Sequence, residues 1–252
     1  MKNNSYWEDR ALLRDKLLEK GQKKIEKKLK KEYKEAIKEM KKEIAVLEAE
    51  GQLTEWQEYR LNEVIAGIES NLNSLANREQ EILTNGLTDC YTNAYEFEKA
   101  SLGISFNQVD DNLIKEVLKT NWSGLTFSER IWARRDKLAL KLKETLKAGL
   151  IRGDSLQDMA RTLADEMNKS YKNAMTLVHT ETCWIQSQAT LQTYKEENIE
   201  EYEFMAFLDE RTTKECRAMN GKRFKLSEAI PGVNMPPLHC RCRSCIVPVI
   251  KD

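Results

Sequence analysis

Cysteine and histidine residues gather near the end of the chain with a spacing that suits metal binding. Cys242 and Cys245 have the C-x-x-C spacing with which two thiolates in a tight turn bind one ion. His239 lies three residues before Cys242, and Cys216 would reach the same place from a preceding hairpin. These four residues form a Cys₃His set, and four protein ligands are typical of a closed, structural zinc site.

Other residues compete for the same role. Cys240 is a further sulfur in the same segment, and His179 is the other histidine of the chain. Two other interpretations stay open: a hydrogen-bonded cluster of thiols without metal, and a disulfide formed outside the cell. Because the N-terminus lacks the apolar stretch of a signal peptide, we expect a reducing compartment, in which clustered cysteines favour metal.

His179 and Glu181 are the second candidate pair for chemistry. Positions i and i+2 of a helix point about 200° apart, so these two side chains cannot face one substrate. Cys183, one turn after His179, can share its face. The plainer interpretation is that His179 packs against the C-terminal module and that Glu181 bonds a backbone group or an arginine.

The sequence lacks the common catalytic patterns. It contains two histidines, no G-x-S-x-G, no Gly-rich phosphate loop and no H-E-x-x-H. We therefore expect that the protein is not an enzyme. The alternative is a metal-dependent hydrolase or nuclease that uses the His/Cys cluster, with Glu181 as the base.

Two amphipathic helices are predicted over residues 1–80. Their apolar positions recur with a period of about 3.6 residues. Gly51 breaks the pattern between them, and Thr54–Gln57 has the form of a capping box. A short break between two such helices predicts an antiparallel hairpin, with a free, dimerising coiled coil as the alternative. The two stripes are Ile25, Leu29, Tyr33, Ile37, Met40, Ile44 and Leu47, and Leu61, Val64, Ile65, Ile68, Leu72 and Leu75.

Residues 81–200 are predicted to be mainly helical. Gly86 is expected to interrupt the helical pattern. A helix opens at Thr126–Glu129, a second follows the cap at Gly153–Ser155, and a long third one runs over residues 171–195.

Short antiparallel β elements are predicted near residues 200–250. Glu201–Leu208 alternates like a strand, and Asn220–Gly221 predicts a tight turn between two hairpin strands. Cys245–Ile250 is predicted as a terminal strand, which Pro248 confines to a sheet edge. The predicted fold class is mainly α with a small α+β C-terminal module. The predicted domains are a helical hairpin arm (1–80), a helical middle region (81–150) and the C-terminal module (151–252).

The composition excludes several classes of protein. The chain has 252 residues, of which 40% are hydrophobic and 33% charged, so it is too apolar for a disordered protein. Its 10 Gly and 4 Pro are too few for collagenous or turn-dense all-β architectures. Since no apolar run approaches the roughly 20 residues that cross a bilayer, we expect a soluble protein without a membrane partner.

The 41 basic and 41 acidic residues balance overall but are unevenly placed, because both ends are basic and the middle is acidic. Solvated helix faces are one interpretation, and contact of the ends with nucleic acid or an acidic protein surface is the other. Arg241 and Arg243 are the candidates for contact with DNA phosphates. On a strand they would share the face opposite Cys240 and Cys242.

Separated motifs of the C-terminal part recur in a known order. Residues 150–250 resemble the C-terminal domain of phage minor head proteins, the head-morphogenesis family named after the F protein of phage Mu. The motif positions include Thr180, Glu181, Asp209 and Gly221, together with the ligand candidates Cys216, His239 and Cys242. The segments that carry the resemblance are residues 177–182, 208–213, 220–222 and 235–244.

The resemblance implies a non-enzymatic structural protein, present in a few copies and built into the procapsid through the portal protein. It implies capsid or scaffolding proteins as further partners, contact with packaged double-stranded DNA, and a role in DNA delivery. The implied location is the virion interior, and the bacterial host cytoplasm during assembly. The sequence leaves the oligomeric state open.

Overall fold

Helices dominate the computed structural model, which describes residues 4–45, 55–105 and 109–250. The predicted fold class is confirmed, since these residues are mainly α-helical and carry a small antiparallel sheet near the C-terminus. Over the described ranges, every helix is too short or too polar for a bilayer-spanning segment. The helices are α1 (Asn4–Ala45), α2 (Glu55–Leu102), α3 (Asp111–Leu118), α4 (Phe127–Arg152), α5 (Leu156–Glu196) and α6 (Lys214–Met219). The strands are β1 (Glu201–Met205), β2 (Arg223–Lys225) and β3 (Cys245–Val249).

Helices α1 and α2 run antiparallel, as the two apolar stripes predict. Ile25 of α1 lies against Gly86 of α2, whereas Tyr33, further along α1, donates a hydrogen bond to Glu79, earlier in α2. The predicted break at Gly86 is wrong. A Cβ at that position would lie 2.4 Å from Cγ1 of Ile25, so this glycine allows close approach inside a continuous helix. The predicted capping box begins at Thr54, which lies outside the described residues.

The chain divides into two compact units, neither of which is continuous in sequence. The predicted domains 1–80, 81–150 and 151–252 are a division by sequence pattern and stay a prediction. The first unit comprises Met1–Ile25, Leu83–Thr126 and Thr176–Asp252, and the second comprises Glu26–Ile82 and Phe127–Met175.

The second unit combines an apolar core with one buried polar network. The hydroxyl of Tyr33 donates to Oε2 of Glu79 at 3.1 Å, and Arg134 forms an ion pair with the same carboxylate. Because Glu79 is only 2% exposed, its charge needs this partner. The buried apolar residues of this unit come from both apolar stripes and from α4 and α5; they include Leu29, Met40, Leu72, Leu142 and Leu163.

In the first unit, the start of α1 packs on the C-terminal strand. Trp7 and Ala11 form an apolar cluster with Cys245 and Val247 of β3. The side chain of Arg14 donates to the carbonyl oxygen of Ile246 at 2.7 Å. The N-terminal residues are therefore part of the C-terminal module and not only of a separate arm.

The three strands form an antiparallel sheet of order β2-β1-β3. Pro248 lies in the edge strand β3, opposite Tyr202, as predicted. The strand predicted before the turn at Asn220–Gly221 is wrong, because Lys214–Met219 form helix α6. This short helix is favoured by Thr213, whose hydroxyl accepts the backbone N–H of Cys216 at the helix start.

The predicted boundary between a helix after Ser155 and a later one from Tyr171 is also wrong. Helix α5 is continuous over 41 residues, and the predicted cap at its start holds, since the Ser155 hydroxyl accepts the N–H of Asp158 at 3.1 Å. Because α5 continues through this region, it carries Thr180, Glu181 and Cys183 towards the sheet.

Candidate metal centre

Three of the four predicted ligands meet in the first unit. Helix α6 holds Cys216, and the loop before β3 holds His239 and Cys242. The Cys216 Sγ atom lies 3.3 Å from Nε2 of His239 and 3.7 Å from Sγ of Cys242. Over the described residues, these three form the one Cys/His/acidic group whose ligand atoms lie within 4.8 Å of one another.

The distances fit a tetrahedral zinc ion. Ligands at Zn–S of about 2.3 Å and Zn–N of about 2.0 Å place two sulfurs roughly 3.8 Å apart and a sulfur and a nitrogen roughly 3.5 Å apart. The observed separations of 3.7 and 3.3 Å are close to both values. A disulfide between Cys216 and Cys242 would need a sulfur separation of about 2.0 Å, and both residues are free cysteines.

A hydrogen bond orients the His239 ring. Its Nδ1 lies 2.8 Å from the carbonyl oxygen of Cys240. Since a carbonyl only accepts, Nδ1 donates this hydrogen bond, and Nε2 is the nitrogen that faces Cys216. This is the tautomer in which a histidine ligates a metal through Nε2, with its other nitrogen held by the backbone.

Burial and neighbouring groups set the protonation of the two thiols. Cys216 and Cys242 are 1% and 2% exposed. The hydrogen bond with Cys242, and then burial, raise the pKa of the Cys216 thiol, while the hydroxyls of Ser244 and Thr213 oppose that rise. The pKa of Cys242 is raised first by its contact with Cys183. Without a metal both groups are thiols, and metal binding would release their protons.

The other predicted ligands lie elsewhere. Cys245, the predicted fourth ligand, packs with Trp7 and Ala11, and burial raises the pKa of its thiol to about 11. Cys240 is exposed and contributes its carbonyl oxygen to the ring of His239. The alternate His179 lies on α5 outside the three-residue group.

Cys183, which the sequence places on the face of His179 but not among the metal ligands, also lies at this site. Its Sγ donates to the carbonyl oxygen of Ser244 at 3.8 Å, and it shares an apolar cluster with Cys216, Cys242 and Phe204. The signal that could have found it is its place one turn after His179, on the face of α5 that turns towards the C-terminal module.

Asp209 holds the loop after β1 to the loop before β3. Both of its oxygens accept from Nη2 of Arg243 at 2.6 Å, and Oδ1 also accepts the backbone N–H of Arg211 at 2.9 Å. These bonds, that of Arg243 first, lower the pKa of Asp209 to about 2. The charge of Arg243 is therefore balanced inside the protein.

The predicted strand placement of Arg241 and Arg243 is wrong, because β3 begins only at Cys245. Arg241 has φ = 59°, and its N–H donates to the Thr180 hydroxyl at 3.1 Å. Its Nε donates to the hydroxyl of Thr176 at 3.2 Å. Thr180, a motif residue, thus fastens the ligand loop to α5.

The remaining motif residues also join segments. Glu181 is 3% exposed and accepts from Nε1 of Trp122 at 3.2 Å, and Trp122 stacks on Trp184. The structure thus gives Glu181 a tryptophan partner, and the arginine or backbone partner stays a prediction. Gly221 has φ = 78° and donates its N–H to the carbonyl oxygen of Phe204 at 2.8 Å, which explains the preference for glycine there.

Comparisons with known proteins give a relative and a matching family for part of this chain. One curated relative, the NAD(+)–arginine ADP-ribosyltransferase EFV of Enterococcus faecalis, is 25% identical over 166 residues. The match covers 59% of this chain, and the chain spans about a third of that relative's length (34%). No solved structure matches the chain significantly. Residues 140–247, which include the three clustered ligands and the motif residues, match the family described as phage Mu protein F like protein. This match, with the motifs in the predicted order, supports the predicted resemblance to phage Mu F-like head proteins over this part of the chain.

Proposed function

We propose that the chain is a minor head protein of a tailed phage and acts as a structural component, not as an enzyme. The observation that carries this proposal is that polar side chains of the family motif hold segments of this same chain together. Asp209 binds Arg243, and the buried Glu181 binds Trp122. Groups engaged in this way stabilise a module, whereas a catalytic acid or base must be within reach of a substrate proton.

In this proposal the protein enters the procapsid through the portal protein, contacts capsid or scaffolding proteins, and stays in the virion interior after assembly in the bacterial host cytoplasm. The basic, solvent-exposed face of α1 is the proposed docking element. It suits an acidic surface on a large assembly, because summed like charges steer association. Its exposed lysines include Lys27, Lys31 and Lys34.

Charge reversal tests the docking element without removing buried residues of α1. The arm variant changes Lys27, Lys31 and Lys34 to Glu, and the matched control changes Lys137, Lys141 and Lys147 of α4, which are also exposed. We expect the arm variant to lose capture by the matching portal protein and incorporation into heads, and the control to keep both. Equal behaviour of the two variants would contradict docking through α1.

We further propose that the module contacts packaged DNA through Arg241. Arg243 is the weaker candidate, because Asp209 balances its charge. Replacing Arg241 with Ala should remove about one phosphate contact. The slope of log affinity for DNA against log salt concentration should then become shallower by roughly one unit, since each neutralised phosphate contributes about that much. Binding that is equally strong at low and physiological salt would exclude this contact.

We propose structural zinc as the cofactor of the Cys216, His239 and Cys242 cluster. The support is the donor set, two sulfurs and an oriented imidazole at separations that suit one tetrahedral ion. Bound zinc would cross-link α6 to the ligand loop of a module with a small core. Metal analysis of the purified protein, with thermal unfolding before and after chelation, tests this: we expect one zinc per chain and a lower melting temperature without it.

A metal-dependent hydrolase or nuclease is the second candidate, favoured by the grouping of three ligands, the number typical of catalytic zinc. Against it, the proposed base Glu181 is bound to Trp122. The name of the Enterococcus faecalis relative describes an ADP-ribosyltransferase, which we do not propose for this chain because the match covers about a third of that protein. A metal-bound water in the purified protein would favour the hydrolase.

A further inference from the structure

The proposed zinc site has three ligands in place and needs a fourth. Zinc in structural sites is almost always bound by four protein groups in a tetrahedron. Cys216, His239 and Cys242 supply three of them. The missing ligand decides whether the ion is closed off or keeps a position for water, so its identity separates a structural centre from a catalytic one.

The predicted fourth ligand, Cys245, is poorly placed. In strand β3 it is paired with Met205, and its thiol lies in the cluster with Trp7 and Ala11, beside Arg14. Moving its sulfur to the cluster of three would require turning over the residue that begins β3. Successive side chains of a strand point to opposite faces, so such a move would disturb the whole edge strand.

Cys183 of α5 lies beside the cluster. It is 2% exposed and belongs to the same apolar cluster as Cys216 and Cys242, just outside the group of three whose ligand atoms lie within 4.8 Å of one another. It lies on α5, which Thr180 already fastens to the ligand loop through the backbone of Arg241. The backbone of Cys183 is therefore held next to the ligand loop.

Little opposes a movement of the Cys183 sulfur onto the ion. Its hydrogen bond to the carbonyl oxygen of Ser244 is long, at 3.8 Å, and a thiol is a weak donor. A cysteine has a single side-chain torsion, so one rotation re-aims the sulfur without moving the helix. The surrounding Phe204 and Ala206 offer no polar group to a water in that position.

We propose that Cys183 is the fourth zinc ligand, which makes the centre a closed Cys₃His site joining α5, α6 and the ligand loop. This inference rests on the proposed zinc and changes the predicted ligand set by exchanging Cys245 for Cys183. The site would then have no open position for substrate or water, and the protein would have no use for it in hydrolysis.

X-ray absorption at the zinc edge on the purified full-length protein tests the proposal. We expect three sulfurs and one nitrogen around the metal. In C183S one sulfur should be replaced by an oxygen, and the variant should lose zinc to a competing chelator at least about tenfold more readily. C245S and C90S are the matched controls and should keep the spectrum of the unaltered protein.

The outcomes separate this inference from the proposed function. Two sulfurs, one nitrogen and an oxygen in the unaltered protein would overturn the role of Cys183 while leaving the zinc in place. Loss of a sulfur in C245S, with none lost in C183S, would restore Cys245 as the ligand. A purified protein that binds no zinc would overturn the metal centre itself. The count on the unaltered protein decides the question even if C183S folds poorly.

Discussion

Arg14 offers a sharp test of the coupling between the two ends of the chain. Its guanidinium pairs with Glu98 at 2.5 Å, and the two side chains are 1% and 0% exposed. It also donates to the carbonyl oxygen of Ile246. Burial opposes the charge on both groups: Glu98 raises the pKa of Arg14 against it, while burial raises the pKa of Glu98 against the attraction of Arg14. The short contact and the full burial of both side chains make this an ion pair inside the protein.

Replacing Arg14 with Met should be strongly destabilising. Among the described residues, the Glu98 carboxylate would keep the hydroxyls of Thr190 and Tyr194, at 3.4 and 3.5 Å, as its hydrogen-bond partners in the interior. Removing one member of a buried ion pair costs about 3–5 kcal/mol. That is a large part of the roughly 5–15 kcal/mol by which proteins of ordinary stability are folded.

Urea unfolding followed by tryptophan fluorescence measures this cost as a lower midpoint. Lys23, whose pair with Glu19 is exposed on the same helix, is the matched control, and K23M should change the free energy of unfolding by less than about 1 kcal/mol. The double variant R14M/E98L should recover most of the loss, because it buries no lone charge. If R14M is as stable as K23M, the buried pair does not hold α1 to the C-terminal module.

Three further predictions follow from single sites. G86A should destabilise by about 1–3 kcal/mol in urea unfolding, because its Cβ would overlap a buried side chain of α1, whereas G67A meets only the flexible end of a glutamate and should cost less. Asp209 has a folded pKa of about 2, below its unfolded value, so its contribution is present above about pH 4 and is lost as the pH falls towards 2. D209N should therefore flatten the pH dependence of the melting temperature over that interval, measured with chelator present, and an unchanged slope would contradict the ion pair. C242S should lower the melting temperature of the zinc-loaded protein far more than C90S does, and equal effects would remove the case for a special cluster.

The helical part of the fold could be predicted because its signal is local. The stripe from Ile25 to Ile44 repeats every helical turn, and such a face must be buried against a partner. The helix interruption predicted at Gly86 was wrong because the sequence does not show how closely α1 approaches this position. The approach leaves no room for a Cβ atom. Helix α6 was missed because a six-residue element carries too little periodicity and depends on the cap at Thr213.

The candidate site was predicted in part for a related reason. The short spacing from His239 to Cys242 places both in one turn, and the family motif adds Cys216. The choice between Cys245 and Cys183 depends on which face of a strand and of a helix turns towards the cluster, and residue spacing does not contain that information. The burial of Arg14 could not be predicted from the sequence either, because its partners Glu98 and Ile246 are far away along the chain.

The contact between Arg14 and Ile246 joins residues 232 positions apart. At about 5–20 residues per second, a ribosome needs roughly 10–50 s to synthesise the stretch between them. During that interval the first helix has emerged, with Trp7 and Arg14 exposed to the cellular milieu, while the strand that will cover them does not yet exist. Packing of this unit therefore completes late, and until then the nascent chain presents apolar surface that a chaperone can bind.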